Sequence, residues 1–486
     1  MPGSASPLPE VFRDLSVDRL LAFGALMMVI MIVRPQGCCP KAVRKKIVEP
    51  PTPAAPQQLA PSPENEVQMH TVVLGAGAVG VATAYHLRKL GHHVTVVDRQ
   101  PAAALETSFG NGAIIHASEV QPWSQPGMPL KILQWIGRED APVLLRSGAL
   151  PHLMRWGAAF LANCSESRFT ANAEVNLRLA LYSLRTLQEI YGETGIENDR
   201  STNGVIKIYR DRAALDTGRR HSSHLAALGL TFEELSPQAC VEREPALGET
   251  ADSLAGALYF PRDEVGDSHK FVQGLAARCA TLGVKFNYDT TVTGLEKRAN
   301  RIATVATSNG PIEADNVVVA MASFSPALLR QVGVDVLIYP VKGVSITVSK
   351  SPWNNAPRHA IIDDGRMFGL IPIGDRIRAA GSAEIARYDA TPSPARAQAI
   401  IDKVLQTFPG FARCYAPQTA KVWAGLRPVS PSGVGYMGRT RVANLFVNSG
   451  HGHLGWTMSC GAGRLVADIV DGRRPDIDMA GFPTLA

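Results

Sequence analysis

The sequence predicts an α/β protein in which a Rossmann-like unit on a parallel sheet is interleaved with a second unit on a mixed, mostly antiparallel sheet. Three observations predict it. A short apolar strand, Thr71 to Leu74, runs into the turn Gly75, Ala76, Gly77, Ala78, Val79, Gly80 and then a helical stretch with apolar Val79, Ala82 and Leu87. A second glycine-rich turn, Gly450 to Thr457, lies near the other end of the chain, between a short strand (Leu445 to Asn448) and a helix from about Gly455 to Asp471. Between the two turns, strands and helices do not alternate as a full doubly wound sheet requires.

The first turn has the parts of a dinucleotide fingerprint. Gly75 permits the tight turn, Gly77 lets the backbone approach a pyrophosphate, and Gly80 lets the helix pack on the strand. The helix N-terminus offers its free N–H groups to the phosphates. A second strand, His93 to Val97, delivers Asp98 eighteen positions after Gly80. That carboxylate is placed to accept from the ribose hydroxyls of an adenosine and to repel a 2'-phosphate. A lone G-x-G-x-x-G would carry little weight; strand, glycines, helix, strand and acid in this order point to a nucleotide.

After Asp98 the chain leaves this unit. Helical stretches dominate from Pro129 to Tyr191, and strand-like runs follow at Gly204 to Tyr209, Ala255 to Phe260 and Val344 to Val348. The chain returns with a helix at His269 to Leu282, a strand at Val284 to Tyr288 and a buried strand at Ala314 to Met321. It returns again at Leu445, and Ser459, Gly461 and Gly463 let the last helix pack closely on another backbone. The expected division is a nucleotide-binding domain of residues 69–118, 262–333 and 431–486 and a second domain of residues 119–261 and 334–430. Asp263, Glu264 and Asp267 read as the cap of a helix starting near Ser268.

Residues 1–68 form an extension of different character. Leu20 to Val33 is an unbroken apolar run of fourteen residues; as a helix it reaches about 21 Å, short of the roughly 30 Å of a bilayer core. Arg34, Lys41, Arg44, Lys45 and Lys46 follow, so a spanning segment would leave the body of the protein on the cytoplasmic side. Residues 47–63 are rich in proline and alanine, an extended spacer. An anchor and a dispensable leader, with the folded protein starting near Met69, both fit this pattern. With 45% hydrophobic and 19% charged residues the composition is that of an ordinary globular protein. A net charge of +6 without a basic block interleaved with aromatics leaves no footprint for nucleic acid. Seven cysteines with no C-x-x-C pair read as reduced thiols, neither a disulfide frame nor a zinc site, and no metal is expected.

Several stretches then occur in a telling order: AALETS (Ala103 to Ser108), PGMPLK (Pro126 to Lys131), PRDEVGDSHKF (Pro261 to Phe271), YPVKGVSITV (Tyr339 to Val348), WAGLRPVSPSG (Trp423 to Gly433) and GHGHLGWTM (Gly450 to Met458). From about Met69 onward the chain resembles the small subunit of bacterial D-amino acid dehydrogenase, within the FAD-dependent amine oxidoreductases that include glycine oxidase and D-amino acid oxidase. The resemblance implies non-covalent FAD, held by Gly75, Ala76, Gly77, Ala78, Val79, Gly80, Asp98 and Arg99. Ser108, Asn111, Gly112 and the second turn (Gly450, Gly452, His453, Leu454, Gly455) would lie near the flavin. It also implies oxidation of D-amino acids, D-alanine foremost, to 2-oxo acids and ammonia, with hydride transfer from the alpha carbon to flavin N5 and electrons passed to a quinone or other acceptor. Two departures bear on substrate preference more than on the reaction. Ala322 stands where related enzymes carry glycine after the Val-Val-Val-Ala strand, and FGNGAII follows Ser108 where AANAGQI is expected.

Such a reaction asks the protein for orientation and electrostatics. Arg427, in the GLRP motif, is the first choice for the substrate carboxylate, because a guanidinium fork binds it bidentately and stays charged. In the related oxidases the arginine of a matching motif has that role. The helix N-terminus at Gly452 to Trp456 presents N–H groups and the positive end of its dipole to the charge a flavin gains on reduction. His451 and His453 flank Gly452, to tune the ring, shuttle a proton or simply satisfy a turn. Tyr339 and Lys342 lie on a strand whose counterpart borders the substrate cavity in relatives, and Lys342 reads equally as a structural ion pair. Trp423 and Trp456 either wall the pocket or fill the core. Pro129 to Trp156, with Lys131, Trp135, Arg138, Arg146 and Trp156, reads as an amphipathic element on a membrane surface or as core. The expected location is the cytoplasmic face of the plasma membrane, or the cytoplasm. Two rivals stay open: an oxidase of the same fold using dioxygen, and a membrane-tethered FAD-binding scaffold without catalysis.

Overall fold

Thr71, Val72, Val73 and Leu74 are all fully buried, which marks a strand covered on both faces. The computed structural model describes residues 69–135, 143–146 and 149–485; the apolar run 20–33, the spacer 47–63 and Arg138 lie outside the described residues. The buried strand, β1 (His70–Leu74), sits in a six-stranded sheet with β2 (His93–Val97), β9 (Lys285–Asn287), β13 (Asn316–Val319), β19 (Tyr436–Arg439) and β20 (Leu445–Ser449). The order is β19-β20-β13-β1-β2-β9, parallel throughout except where β19 meets β20. Val73, Val94, Val96, Val318 and Phe446 share an apolar cluster with the helices Ala78–Lys89, Ser268–Thr281 and Gly455–Val470. Val72, Leu74, Val97, Val317 and Val319 point the other way, onto the hairpin of β10 (Val292–Arg298) and β11 (Arg301–Thr307), which β12 (Ile312–Glu313) extends. Glycine sets the spacing of the helical layer. A Cβ on Gly463 would come within 2.7 Å of the Ala82 backbone, and one on Gly461 within 2.7 Å of Ser183 in the long helix Glu166–Thr194.

The second sheet runs β18-β14-β17-β16-β15-β5-β7-β6, with β4 (Val143–Leu145) alongside one end of β17. Its strands are β5 (Val205–Tyr209), β6 (Glu233–Leu235), β7 (Gly256–Phe260), β14 (Tyr339–Ser349), β15 (Ala360–Asp363), β16 (Phe368–Ile373), β17 (Arg376–Ile385) and β18 (Lys421–Val429). Only the β15–β5 and β17–β4 pairs are parallel. Alternation along each strand sorts the side chains. Val344, Ile346, Val348, Ile377 and Ala379 pack with Ile400, Ile401 and Val404 of the helix Pro394–Thr407. The opposite, front face carries Val341, Gly343, Ser345 and Thr347 of β14, Arg378 and Ala380 of β17, and Trp423, Gly425 and Arg427 of β18. A short ribbon of β3 (Ile114–Ile115) and β8 (Glu264–Val265) lies between the sheets in sequence. Its neighbour Ala113 packs with Val205, Val265, Ile371 and Ile373.

Both departures noted in the sequence fall on left-handed residues. Ala113 has φ +56° and Ala322 has φ +48°, where a Cβ costs about 1–2 kcal/mol. Each is held locally: Ala113 N–H donates to Asn111 Oδ1 at 2.9 Å, and Ala322 O accepts from Ser449 Oγ at 3.0 Å.

Candidate active site

Two of the three fingerprint glycines are demanded by the protein's own packing. Gly75, at φ +108°, leaves no room for a Cβ, which would stand 2.6 Å from Ala320 O; one on Gly80 would run into the Gly75 carbonyl. Gly77 is different, for a Cβ there meets only Ser108 Oγ, at 3.6 Å. It is the N-cap of Ala78–Lys89, with no side-chain cap and no acid in the first turn. The Ala78 N–H donates to Ser108 Oγ at 3.1 Å, and the Val79 carbonyl accepts from Thr83 within the helix. Asp98 closes the turn, one oxygen accepting from Ala76 N–H at 2.6 Å and the other from Gln100 N–H at 2.9 Å. Burial raises its pKa against the pull of those two bonds. Arg99 pairs with Glu106 at 2.6 Å and lies over the Phe324 ring.

The loop after Ser108 is clamped by the front face of the second sheet. Thr107 Oγ1 donates to Leu426 O at 3.0 Å, Ser345 Oγ to Gly110 O at 2.6 Å, and Arg378 Nη1 to Asn111 O at 2.8 Å. Arg378 is buried with no carboxylate bonded to it among the described residues, and its Nε donates to Thr347 Oγ1. Trp423 lies across Gly425 and reaches Gly110, where a Cβ would come within 2.5 Å of the ring. Beside this clamp Gly112 faces open space, with nothing within 4 Å of a Cβ.

The second turn approaches the same face. Gly450 takes φ +86° and Gly452 φ +57°, and a Cβ on Gly452 again meets nothing within 4 Å. Leu454 is buried, its N–H on His451 O, and Gly455 begins the last helix. His451 is buried with no partner for Nε2, and burial pushes its pKa down to about 4, so it is neutral at pH 7. His453 Nε2 donates to Glu119 O at 3.0 Å while its ring stacks on Trp123 at 5.3 Å. Burial lowers its pKa too, Arg427 adding to the effect.

Arg427 lies over the same Trp123 ring, 5.7 Å from its centre. Its Nη1 donates to Ser382 O at 3.0 Å, and the guanidinium lies against Gly343, where a Cβ would overlap it. Among the described residues no carboxylate pairs with it. Burial draws its pKa down to about 10, which leaves it charged at neutral pH. A part-buried guanidinium with no acid beside it is placed to receive an anion. Tyr339, on the same face of β14, has an enclosed hydroxyl with no hydrogen-bond partner.

Lys342 is a correction. It points from the opposite face of β14, where its Nζ meets Glu384 at 3.2 Å, Asp389 at 2.9 Å and Thr391 O at 3.2 Å. Paired with two carboxylates and bonded to a backbone carbonyl, it is an ion-pair residue of the sheet and lies on the face away from Arg427. Trp456 is a core residue, packed on Phe271 with its Nε1–H on Gly266 O. Asp267 caps the helix Ser268–Thr281 through His269 and Lys270 N–H groups. Glu264 instead binds Arg200, and Asp263 is buried with Oδ1 on Ala117 N–H at 2.9 Å. Trp123, Arg378 and Ser382 were not anticipated; only Trp123 lies in a stretch with a signal, the QPW ahead of PGMPLK.

Asp263 predicts a pH effect. Burial, with Glu119 adding to it, raises its pKa from 3.8 to about 7. Between those values the folded protein holds a proton that the unfolded chain has released, so stability falls as pH rises from about 4 to 7 and stays lower above. The full cost is at most about 4 kcal/mol. Asp263→Asn removes the charge, and its gain in Tm at pH 8 is expected to exceed its gain at pH 5; equal gains at both would sink this assignment.

A glycine turn at an uncapped helix N-terminus, a second glycine turn leading into another helix, and a guanidinium on the facing sheet with no acid beside it among the described residues are the parts of a dinucleotide-dependent oxidoreductase. The FAD dependent oxidoreductase family matches residues 70–469, and the chain belongs to that family. FAD is its cofactor. A D-amino acid dehydrogenase of Paramagnetospirillum magneticum is 46% identical over 418 residues, 85% of this chain and 98% of that one. One from Sinorhizobium medicae is 42% identical over 410 residues, 84% and 98% of the two chains. Among solved structures, glycine oxidase from Geobacillus kaustophilus has the same fold, with TM-score 0.66, 22% identity and coverage of 86% of this chain and 99% of that one. L-proline dehydrogenase from P. horikoshii gives TM-score 0.67 at 19% identity, covering 84% and 94%. The residues fit FAD: a Cβ on Gly77 would make only an ordinary contact with Ser108 Oγ, and among the described residues one on Gly112 or Gly452 would meet nothing within 4 Å, so each position has space on its side-chain side. Cys460 is packed in the last helix with its thiol pushed up to about 12 by burial. Among the described residues no group of His, Cys, Asp or Glu is placed to hold a metal ion, and no helix is long and apolar enough to cross a membrane.

Proposed function

We propose that this chain oxidises D-amino acids, D-alanine foremost, to 2-oxo acids and ammonia, and that Arg427 binds the substrate carboxylate. The observation that carries the reading is the charged guanidinium of Arg427, held by a backbone carbonyl and paired with no acid among the described residues. The names of the relatives that share over 40% of their residues with it support the substrate class. FAD when bound accepts a hydride from the alpha carbon. The residues supply the rest. Arg427 fixes the carboxylate at one end, so the alpha C–H is held in one orientation. Trp123 and His453, stacked beside it, exclude water. His451 is neutral and Tyr339 offers a free hydroxyl, so neither adds a charge to compete with the substrate amine.

In this reading Gly75, Ala76, Gly77, Ala78, Val79, Gly80, Asp98, Arg99, Ser108, Asn111 and Gly112 hold the cofactor, with Gly450, Gly452, His453, Leu454 and Gly455 against its flavin end. The division into residues 69–118, 262–333 and 431–486 against 119–261 and 334–430 is supported by the strands, since those of the two main sheets fall on opposite sides of these boundaries. Electrons pass to a quinone or other acceptor at the cytoplasmic face of the membrane. Leu130 and Met154, 63% and 57% exposed on the helices Met128–Trp135 and Leu150–Ala162, support that location.

The test is anaerobic titration of the yellow protein. D-alanine is expected to bleach the flavin where L-alanine does not, and a quinone analogue or dye to restore it. Rapid peroxide release in air with no preference for the dye would favour the oxidase, and no bleaching by any D-amino acid would sink the reading.

A further inference from the structure

We propose that Ser382 is a positioning residue, whose left-handed backbone sets Arg427 for the substrate carboxylate; the proposal rests on the reading of Arg427 given above. β17 runs against β14 in regular register from Arg376 opposite Ser349 to Gly381 opposite Val344. It then slips, and the next pair is Glu384 opposite Lys342. Ser382 and Ala383 therefore share the place opposite Gly343, a β-bulge, and Ser382 takes φ +59°. A serine in that region is costly and persists only where its surroundings impose it.

The bulge does two things for Arg427. It takes the Ser382 carbonyl out of the ladder and turns it to accept from Nη1 at 3.0 Å. It also leaves Gly343 as the bare floor on which the guanidinium rests. The hydrogen bond that locates Arg427 thus comes from a backbone atom, beside the Trp123 ring it lies over. A carboxylate in the place of the Ser382 carbonyl would have neutralised the fork; the carbonyl holds it and leaves its charge free. The Ser382 hydroxyl is enclosed without a partner, so it contributes no hydrogen bond to the fold. What the position requires is a residue that tolerates φ near +60°, which β-branched side chains do not.

The slip is pinned from behind. On the back face Glu384 holds Lys342 at 3.2 Å and Arg146 at 2.8 Å, and Lys342 reaches on to Asp389. These pairs fix the first regular rung beyond the bulge, so the extra residue cannot be absorbed by sliding β17.

The experiment compares FAD-loaded full-length variants with D-alanine and a dye acceptor. Ser382→Gly keeps the left-handed turn, and its KM is expected within about twofold of wild type. Ser382→Val forces the position toward extended backbone, and KM is expected to rise about tenfold or more with kcat within about threefold, a loss of binding and not of chemistry. Inhibition by acetate, a bare carboxylate, should weaken in parallel. An unchanged KM in Ser382→Val overturns the proposal. So does a rise in Ser382→Gly equal to that in Ser382→Val, since the hydroxyl and not the backbone would then be at work. If Ser382→Val yields no folded protein, Ser382→Thr puts the same question with the hydroxyl kept, and the same outcomes decide. Arg427→Lys separates the two claims: an unchanged KM there removes the reading of Arg427 itself, whereas a raised KM there with a normal Ser382→Val removes only the bulge.

Discussion

Arg427→Ala is expected to raise the KM for D-alanine about 100-fold while leaving kcat within a few fold. The size follows from the group. A hydrogen bond to a charged partner contributes about 1.5–3 kcal/mol, and 2.7 kcal/mol is a factor of about 100. The carboxylate is bound alike before and during hydride removal, so the loss falls on KM. Arg427→Lys keeps a charge but not the fork and should fall between the two. Among the described residues no acid pairs with this guanidinium, so its removal leaves no unpaired carboxylate behind. The alanine variant should accordingly melt at or above the wild-type Tm. Steady-state kinetics with a dye acceptor, beside a thermal melt, checks both halves. A normal KM would refute the assignment of Arg427; a raised KM with a collapsed Tm would show a structural arginine instead.

Gly77→Val is expected to fold and to be colourless. The backbone there is extended (φ −75°, ψ 179°), which valine adopts readily, and its Cβ meets only Ser108 Oγ at 3.6 Å. The new side chain would occupy the side from which a pyrophosphate approaches the helix N-terminus, and a loss of FAD affinity of at least about 100-fold is expected. Gly463→Val is the contrast, since its Cβ would press on the Ala82 backbone at 2.7 Å and the helical layer must move. Flavin absorbance per protein and the Tm of the apoprotein separate the two. A Gly77→Val protein that keeps its full yellow colour would show that the first turn does not hold the cofactor.

The parts of the molecule that were legible in the sequence are those whose reasons are local. Short apolar runs read as strands, as at Thr71 to Leu74, Ala314 to Met321 and Leu445 to Asn448, and β1, β13 and β20 lie there. Asp267 reads as a cap because it stands next to the helix it caps. Arg427 reads as a binding residue because the surrounding motif carries it. What was not legible depends on register between distant strands. Nothing around Ser382 reveals that β17 slips against β14, and nothing around Arg378 reveals that it reaches Asn111 some 267 positions away. Lys342 shows the limit most directly. It lies one residue from Gly343, on the strand that supports Arg427, yet the pleat turns it to the opposite face and into an ion pair. The hairpin of β10 and β11 escaped notice because much of it is exposed and charged, and its apolar residues Leu295, Ile302 and Val305 are too widely spaced to stand out.

The order of strands in the parallel sheet has a consequence for how the protein is made. Among the described residues β1 and the helix after it leave the ribosome first, but they pack on β13 and on the helix Gly455–Val470, and Gly455 lies 366 positions after Lys89. At roughly 5–20 residues per second, the apolar face of the first helix waits about 20 to 70 s for its partner. During that interval Ala82, Leu87 and their neighbours are exposed on an unfinished chain. Premature termination anywhere before the last helix yields a product with an uncovered apolar surface and no way to close it. Heterologous production should therefore respond more to slower synthesis and to chaperones that shield nascent chains than to changes at the surface of the finished enzyme.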